Sequence, residues 1–532
     1  MHKVISAFAQ VRSALERERS ACFLSRWLFL RLIGIIYLWT QIDGLIGHDG
    51  ILPVVDYLKA VSERVGAVKY WWLPTFCWFN AGDASLHLQC GLGVVLSLLL
   101  IAGVAPVLDL VFLWAIYLSL STVSRDFLGF QWDILLLETG FLAIFLAQRR
   151  WFPGFARETP PSVTVLWLCR WLLFRLMFMS GAVKLLSGDS TWWNLSALTV
   201  HYETQPLPTW IGWYAHQLPV WFQKASCGVM FGIELAAPFL IFCGRRARRI
   251  ACGTFVLLMF LISLSGNYCF FNLLTVALCL LLLDDAFLLR LLPSSGAAFV
   301  KKRLTHLTES GSSPSETPST ALRAPSPPAG EKDRRRGHGS WNVLRTLGVG
   351  VLAAIILLVS GTETAARLFR AQSLPTPLRE ILQLVSPLRT VNAYGLFAVM
   401  TTTRPEIIVE GSDDGVSWLP YEFKWKPGDL KRPPAFVAPH QPRLDWQMWF
   451  AALGNVRGHP WFVNFLVRLL QGSPEVVALL EKNPFPVRPP RRIRAVLYEY
   501  HFTDCVARRA TGDWWRREPK GMYCPEISLR QN

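Results

Sequence analysis

Long apolar runs separated by short polar segments dominate the first two thirds of the chain. A helix that crosses a bilayer needs about 20 mostly apolar residues, because its backbone groups must be satisfied within the helix itself. Nine stretches approach this length. They predict transmembrane helices at 23–43, 87–104, 107–123, 129–148, 163–187, 220–243, 248–265, 269–290 and 342–361. The first run lacks a small-residue cleavage site, so it is expected to be a retained anchor.

Lysine and arginine residues are distributed unequally between the polar loops. One alternating set of loops contains most of them, within 3–19, 149–157, 245–249 and 301–336. The other set contains Lys59, Arg64, Lys69 and Arg125. Short cytosolic loops retain positive charge. The N-terminus (1–22) is therefore predicted to be cytosolic. The second set of loops and the region after 362 are predicted to lie on the opposite side, called here the far side, in a lumen or periplasm.

The composition changes after the eighth apolar run. Residues 294–340 are rich in Ser, Pro, Gly, Thr and Arg and poor in apolar residues, which predicts a disordered cytosolic linker. It separates the multi-span part (23–293) from the last predicted transmembrane helix (341–362). Residues 385–532 have a globular composition and are long enough to form a soluble domain.

Short patterns in this last region predict both strands and helices. The run GSDDGVSW, between 406–409 and 419–425, has the Asp-Gly chemistry of a hairpin turn. Alternating β-branched and aromatic residues predict a strand at 494–502, whereas 444–453 and 461–470 favour helices. The sequence thus predicts a polytopic α-helical membrane protein with a C-terminal sheet-containing domain, either α+β or similar to a β-sandwich.

Composition narrows the possible classes of function. The chain has 532 residues, of which 52% are hydrophobic and 17% charged, and a net charge of +17. Soluble proteins usually have about 25% charged residues. The low charged fraction and the high hydrophobic fraction of this chain exclude a disordered or coiled-coil protein. Because the basic residues lie between apolar runs, their excess is interpreted as a topology signal, and nucleic-acid binding is not predicted.

The eleven cysteines form no CxxC or Cys/His pattern of a metal site. Cys505 and Cys524 both lie in the predicted far-side domain, where an oxidising compartment would allow them to form a disulfide. Cys77 and Cys269 are also expected on the far side and are alternative partners. Asn194 begins a glycosylation sequon on the same side.

Several ionisable residues lie inside predicted spans, where charges are costly and usually paired or functional. At 1.5 Å per residue, Glu138, Arg175 and Glu234 are roughly 15, 18 and 14 Å from the cytosolic surface, so they are expected to form a cluster. Lys184 lies closer to the far side. Either these charges lock the helices together, or they form a substrate site.

Common catalytic motifs are absent. The sequence contains no GxxxxGK[ST], no GxGxxG after a strand, no HExxH and no GxSxG, so neither a cofactor nor a metal is predicted. One part of the C-terminal region is dense in aromatic and hydrogen-bonding residues, which suits a binding surface, although a structural helix start has the same composition. The candidate binding residues are Tyr421, Trp425, His440, Arg443, Asp445, Trp446 and Trp449.

Long segments in both parts resemble the lipase maturation factor family. They are FQWDILLLETGFLAIFLA (130–147), the run 175–210, GNYCFFNLLTVALCLLLLDD (266–285), PYEFKWKPGD (420–429) and FVAPHQPRLDWQMWFAAL (436–453). The resemblance implies a membrane protein of the endoplasmic reticulum in animals, which helps secreted dimeric lipases fold and assemble. It also implies that the C-terminal region is lumenal and contacts the client. In a bacterium the corresponding location would be the inner membrane.

Two weaker resemblances leave alternatives open. IIVEGSDDGVSW resembles the strand-turn-strand signature of galactose-binding-like β-sandwiches, which implies a carbohydrate or lipid-headgroup binder. The membrane part is distantly similar to vitamin K-dependent carboxylase-type proteins, which would make Glu138, Arg175, Lys184 and Glu234 catalytic candidates. The expected partners are a secreted lipase or another exported client, together with membrane lipids.

Overall fold

The computed structural model describes residues 26, 29–30, 41–152, 161–291, 293–294, 329–370 and 374–529, and within 329–346 it describes the backbone alone. The helices before residue 300 are α1 (Ile42–Ile46), α2 (Val54–Val65), α3 (Lys69–Trp72), α4 (Asp83–Ala102), α5 (Pro106–Val123), α6 (Gln131–Leu146), α7 (Val163–Leu186), α8 (Ser190–Trp193), α9 (Leu198–Thr204), α10 (Trp210–His216), α11 (Val220–Phe231), α12 (Arg245–Ser265), α13 (Phe271–Leu280) and α14 (Asp285–Leu291). The later helices are α15 (Ala329–Leu368), α16 (Thr376–Val385), α17 (Arg443–Ala452), α18 (Pro460–Gln471), α19 (Pro474–Val477) and α20 (Cys505–Thr511). The strands are β1 (Pro405–Ser412), β2 (Leu419–Pro420), β3 (Glu422–Phe423), β4 (Leu480–Lys482), β5 (Arg492–Phe502) and β6 (Trp515–Ile527).

Local sequence explains the tight hairpin between α4 and α5. Helix α4 ends at Gly103, whose φ of 83° lies in the left-handed region that glycine adopts without strain. Helix α5 then begins with Pro106, whose fixed φ and missing N–H suit the first turn of a helix. The two apolar helices are therefore antiparallel neighbours.

Among the described residues, fewer helices are long and apolar enough to span a membrane than the nine predicted. Six helical stretches in the described residues are long and apolar enough to cross a membrane: 83–102, 106–123, 163–186, 220–242, 245–265 and 347–368. Helices α13 and α14 would make a seventh if they count as one span, although they are bent by 116°. Helix α6 corresponds to the predicted fourth span but has only 16 residues. Most of the predicted first span (23–43) lies outside the described residues.

The predicted linker is described only at its ends. Residues 295–328 lie outside the described part of the chain, and helix α15 begins at Ala329, within the predicted linker. Helix α15 includes the whole of the predicted last span, 342–361.

The C-terminal domain contains a four-stranded antiparallel sheet in the order β2-β1-β5-β6, and a two-stranded sheet formed by β3 and β4. Strand β1 pairs with β5 along its full length, from Pro405 opposite Glu499 to Ser412 opposite Arg492. The predicted hairpin, the strand at 494–502 and the two predicted helices are all confirmed. Because α17 and α18 pack against the sheet, the domain has the α+β arrangement.

The hydrophobic core is continuous between the two parts of the molecule. Leu135 and Leu172 of the helix bundle belong to the same buried cluster as Val409 of the sheet and Phe465 of α18. The predicted fold, a polytopic helical membrane part with a sheet-containing C-terminal domain, is therefore confirmed. The domain is packed onto one end of the bundle.

Candidate functional site

A buried ion pair joins the C-terminal domain to the helix bundle. Asp133, at the start of α6, accepts from Arg443 at both carboxylate oxygens, with Nη1 2.7 Å from Oδ2 and Nη2 2.8 Å from Oδ1. The Tyr117 hydroxyl also donates to Oδ1, at 2.6 Å. Burial alone would lower the pKa of Arg443, but the adjacent Asp133 carboxylate raises it above its ordinary value. The guanidinium therefore stays charged while it is buried.

Three of the seven predicted client-binding residues, Arg443, Trp446 and Trp449, contact the bundle in this region. Trp446 packs edge-on against Trp132 of the bundle with ring centroids 4.8 Å apart, and the Trp449 indole N–H donates to the Thr204 carbonyl at 2.9 Å. Both indole side chains are buried. We call the contact between the C-terminal domain and the bundle the docking interface. Its main described polar residues are Asp133, Glu138, Glu203, Asn267, Asn392, Tyr394, Arg404, Arg443 and Trp449.

The other predicted binding residues have mainly structural contacts. Asp445 is buried, and its Oδ1 accepts the N–H groups of Trp425 and Lys426, each at 2.9 Å. Tyr421 is also buried, whereas Trp425 and His440 remain partly exposed. The expected open surface at 440–449 is thus covered by the bundle. Sequence alone showed the density of aromatic and charged groups but not the helices that cover them, and the role in client binding stays a prediction.

The predicted intramembrane cluster is divided into two separate ion pairs. Glu138 pairs with Arg175, and Lys184 pairs with Glu234 at 2.7 Å. Lys184 also donates to the Ser180 carbonyl at 3.0 Å. Glu234 lies in a π-helical turn, Gly232–Ala236, that continues α11. The expected partners of Glu234 were Glu138 and Arg175, whereas it pairs with Lys184, which lies nine residues beyond Arg175 on α7.

The Glu138–Arg175 pair holds the segment of the C-terminal domain that precedes β1. Glu138 Oε2 accepts from the Asn392 backbone N–H at 2.9 Å and from the Tyr394 hydroxyl at 2.7 Å. Arg175 Nη1 donates to the Asn392 carbonyl at 2.9 Å. Sequence reasoning missed Asn392 and Tyr394. The signal available was a pair of polar residues upstream of β1, which is weak evidence when their partners are not known.

Asn267 makes three hydrogen bonds to the C-terminal domain and one within the bundle. Its amide N–H group donates to the carbonyls of Leu207 and Ala435, at 3.1 and 2.8 Å, and its oxygen accepts from the backbone of Val437 and Ala438, at 2.7 and 3.0 Å. Asn267 is buried in the loop between α12 and α13. It therefore fixes the start of the segment that leads to α17.

Arg404 is another long-range connection that the sequence did not reveal. It is fully buried, pairs with Glu406 at 2.9 Å, and donates to the carbonyls of Glu203, Gln205 and Pro206 in the bundle. Burial lowers the pKa of Arg404, although the neighbouring carboxylates oppose this shift. A buried charge without such partners would be costly, so Arg404 stabilises the docked position.

A cavity of about 350 Å³ lies within the bundle beside the Lys184–Glu234 pair. Its polar lining includes His201, Tyr268 and Asn272, and most of the remaining wall is apolar. Burial, with a smaller contribution from the positive charge of Lys184, lowers the pKa of His201 to about 4. The imidazole is therefore neutral at physiological pH. A second cavity of about 360 Å³ lies between α4, α5 and residues 439–443.

The predicted disulfide is not formed. Cys505 and Cys524 are both free thiols, the first exposed and the second buried. Cys524 lies opposite Ala495, near the start of β5, whereas Cys505 follows the end of that strand at Phe502. At about 3.3 Å per residue, seven residues of strand separate these positions by roughly 20 Å. Shared location in one domain was therefore not sufficient evidence for pairing.

Asn194 is exposed directly after α8, and its glycosylation stays a prediction. Among the described residues, no group of three or more His, Cys, Asp or Glu side chains could hold a metal ion.

Comparison with known proteins accounts for nearly the whole chain. Residues 24–290 match the family model of the lipase maturation factor transmembrane domain, and residues 390–525 match that of the lipase maturation factor C-terminal domain. Lipase maturation factor 2 of Gallus gallus is 38% identical, over 96% of this chain and 82% of that protein. Lipase maturation factor 2 of Homo sapiens is 37% identical, over 95% and 83%.

Lipase maturation factor 1 of Bos taurus is 34% identical, over 96% of this chain and 90% of that protein. No solved structure matches the chain. Both parts of the molecule, in the same order, thus have counterparts in the same proteins. The chain belongs to the lipase maturation factor family of membrane proteins.

Proposed function

We propose that this protein assists the folding and assembly of secreted lipases or similar exported clients, and that its C-terminal domain contacts the client. The observation that carries the proposal is the match of both parts to relatives named lipase maturation factor 1 and 2. The family's name identifies the class of client.

The docked position of the C-terminal domain supports a specific topology. The bundle loops that bond to it contain residues 48–50, 126–133, 189–206 and 264–269, which all belong to the loops with few basic residues. The arginine-rich segments 149–150 and 245–249 lie at the other ends of the same helices. Under this proposal the N-terminus is cytosolic and the domain lies in the lumen of the endoplasmic reticulum, or in the periplasm of a bacterial host.

The exposed part of the C-terminal domain offers a surface for a client. A groove of about 670 Å³ runs beside β1 and β3, and all of its described lining residues belong to this domain. Next to it, the β1–β2 hairpin exposes Val416 and Leu419, at 82% and 47%. Val487 is 95% exposed in the loop whose Phe485 packs against Tyr421. Exposed apolar groups beside a polar groove suit contact with a partly folded chain.

Such a factor acts by covering apolar surface that assembly later buries. It should therefore bind the immature monomer and release the finished dimer, because a binder that prefers the unassembled state loses its target as assembly proceeds. The buried residues of the docking interface, including Arg443 and Trp446, then position the domain without touching the client.

The contacts of the intramembrane charges favour a positioning role over catalysis. Glu138 is engaged by Arg175, Asn392 and Tyr394, and these bonds hold the entry to the C-terminal domain. The ammonium of Lys184 has acceptors at both oxygens of Glu234 and at the Ser180 carbonyl. Three acceptors saturate its three N–H donors.

Co-expression of the full chain with a secreted dimeric lipase, in cells that lack their own maturation factor, tests the proposal. We expect lipase activity in the medium, and immature lipase bound to the purified protein. The double variant Val416→Asp/Leu419→Asp should lower both at least fivefold. Val506→Asp is the matched control, since Val506 is 78% exposed elsewhere in the same domain. No rescue of lipase activity by the wild-type chain, or equal effects of the two variants, would contradict the proposal.

A further inference from the structure

The cavity within the bundle has a hydrogen-bonding pattern that defines its ligand. It is bounded by residues of helices α7 to α13 and by Leu396 and Phe397 of the C-terminal region. A volume of about 350 Å³ lies in the range of small-molecule pockets. Several wall residues of α11 and α12, including Phe222 and Leu261, are themselves 43% and 51% exposed on the bundle surface. The cavity therefore lies directly behind a surface that would face lipid.

The bonds around Tyr268 determine which nitrogen of His201 carries the proton. Gln205 donates through Nε2 to the Ser265 carbonyl at 2.7 Å, so its Oε1 is the acceptor for the Tyr268 hydroxyl at 2.8 Å. The hydroxyl has one proton, and Gln205 receives it. The contact of 3.1 Å between this hydroxyl and His201 Nε2 must then be a bond donated by the imidazole. A neutral His201 protonated at Nε2 leaves Nδ1 as an acceptor.

Two acceptors among the cavity residues have no hydrogen-bond partner. His201 Nδ1 and Asn272 Oδ1 are both buried, and neither has a partner among the described residues. Asn272 is only 5% exposed and lies in the first turn of α13. Buried acceptors are normally satisfied, so each of these atoms requires a donor from outside the protein.

The cavity has no net charge to attract an ionic ligand. Lys184 and Glu234 neutralise each other at 2.7 Å, and His201 is neutral. A carboxylate or phosphate head group would also face the two acceptors as another acceptor. A neutral group with O–H donors fits both requirements.

We propose that this cavity binds a neutral single-chain lipid whose hydroxyl head group donates hydrogen bonds to His201 and Asn272. The hydrocarbon chain occupies the apolar wall formed by α7, α11 and α12, and it enters from the surrounding bilayer. This site is separate from the proposed client contact, because the cavity and the groove at the hairpin share no described lining residue.

Photolabelling of the full-length protein in lipid nanodiscs tests the site. The probe is a long-chain fatty alcohol with a diazirine in its chain, and labelled peptides are identified by mass spectrometry. We expect labelling of α7, α11 or α12 that oleyl alcohol removes. Methyl oleyl ether, which lacks the donor, and oleate should be at least fivefold weaker competitors.

Two variants separate the polar contact from the cavity volume. Asn272→Leu removes one acceptor at similar size and should reduce labelling about fivefold or more. Ser226→Phe fills part of the cavity from α11 and should abolish labelling, and it remains informative if Asn272→Leu fails to fold. Thr275→Val is the control, since Thr275 lies on the same helix but does not line the cavity.

Three results would overturn the proposal. Equal competition by the alcohol and its ether would show that the hydroxyl is not recognised. Wild-type labelling of a folded Asn272→Leu variant would remove the assigned acceptor. Labelling that spreads over the outer helix faces and persists in Ser226→Phe would mean that water alone satisfies the two acceptors.

Discussion

Arg443 and Asp133 are 310 residues apart in the chain, yet the guanidinium of the first donates to both carboxylate oxygens of the second. Asp133 is fully buried and also accepts the N–H of Phe130, the residue before α6. It therefore stabilises the start of α6 and anchors the C-terminal domain at the same time. One carboxylate thereby couples the geometry of a membrane helix to the position of a soluble domain.

Removing the guanidinium should strongly destabilise the docked state. In Arg443→Met, the Asp133 carboxylate stays buried with only neutral donors, and breaking a buried pair costs about 3 to 5 kcal/mol. We expect a large drop in the thermal unfolding midpoint of the solubilised protein. Arg492→Met serves as the control, because its pair with Glu526 is about half exposed and should contribute less than about 1 kcal/mol. Similar unfolding midpoints for the two variants would refute a structural role of the buried pair.

The hydroxyl of Tyr394 should contribute measurably to stability. Tyr394→Phe removes a bond to the buried carboxylate of Glu138, and hydrogen bonds to charged groups contribute about 1.5 to 3 kcal/mol. Tyr214→Phe should be neutral, since Tyr214 is 49% exposed. Differential scanning fluorimetry compares the two, and an unchanged midpoint in Tyr394→Phe would argue against this contact.

Glu138→Gln distinguishes a positioning residue from a catalytic one. Loss of the charge should destabilise the segment at Asn392, so lipase activation should decrease only in proportion to the loss of folded protein. The measurement is secreted lipase activity divided by the amount of correctly folded factor in the membrane. A variant with wild-type stability and no activity would instead favour the membrane-enzyme hypothesis.

His201 should make stability dependent on pH in the mildly acidic range. Its pKa is about 4 in the folded protein, against about 6.5 in an unfolded chain. Between these values the unfolded state binds a proton that the native state does not, so stability decreases as the pH falls from 6.5 towards 4. The free energy of unfolding should be lower by about 3 kcal/mol at pH 4 than at neutral pH as a result of this group.

This effect is checked by comparing unfolding midpoints at pH 7.5 and 5.0. His201→Gln should show a smaller decrease than the wild type, because the buried imidazole that must stay neutral is gone. His48→Gln, at an exposed position, should retain the wild-type decrease. If His201→Gln also retains it, the acid sensitivity arises from other groups.

Two exposed thiols at opposite ends of the bundle report the topology. Cys243 precedes α12 at the arginine-rich end and Cys505 begins α20 in the C-terminal domain, and both are exposed. In sealed vesicles of known orientation, a membrane-impermeant maleimide should label Cys505 from the far side and Cys243 only after permeabilisation. Variants with one of the two replaced by serine identify each label. Labelling of both from one side would contradict the predicted topology.

The sequence determined the features that depend on neighbours along the chain. Apolar runs of about 20 residues predicted α4, α5, α7 and α12, because a segment in lipid must form all its backbone hydrogen bonds within its own helix. Turn chemistry at Asp414–Gly415 predicted the hairpin, and alternation predicted β5. The long resembling segments identified the family.

Only the tertiary structure decided how distant residues combine. It paired Asp133 with Arg443, divided the expected charge cluster into Glu138–Arg175 and Lys184–Glu234, and separated Cys505 from Cys524. The rise of 1.5 Å per residue gives an approximate position of a charged residue along its helix, but it does not give the direction in which its partner lies. That direction depends on how the helices rotate and pack against one another. For the same reason, the density of aromatic and charged residues at 440–449 predicted a binding surface, whereas the fold buries most of these residues against the bundle.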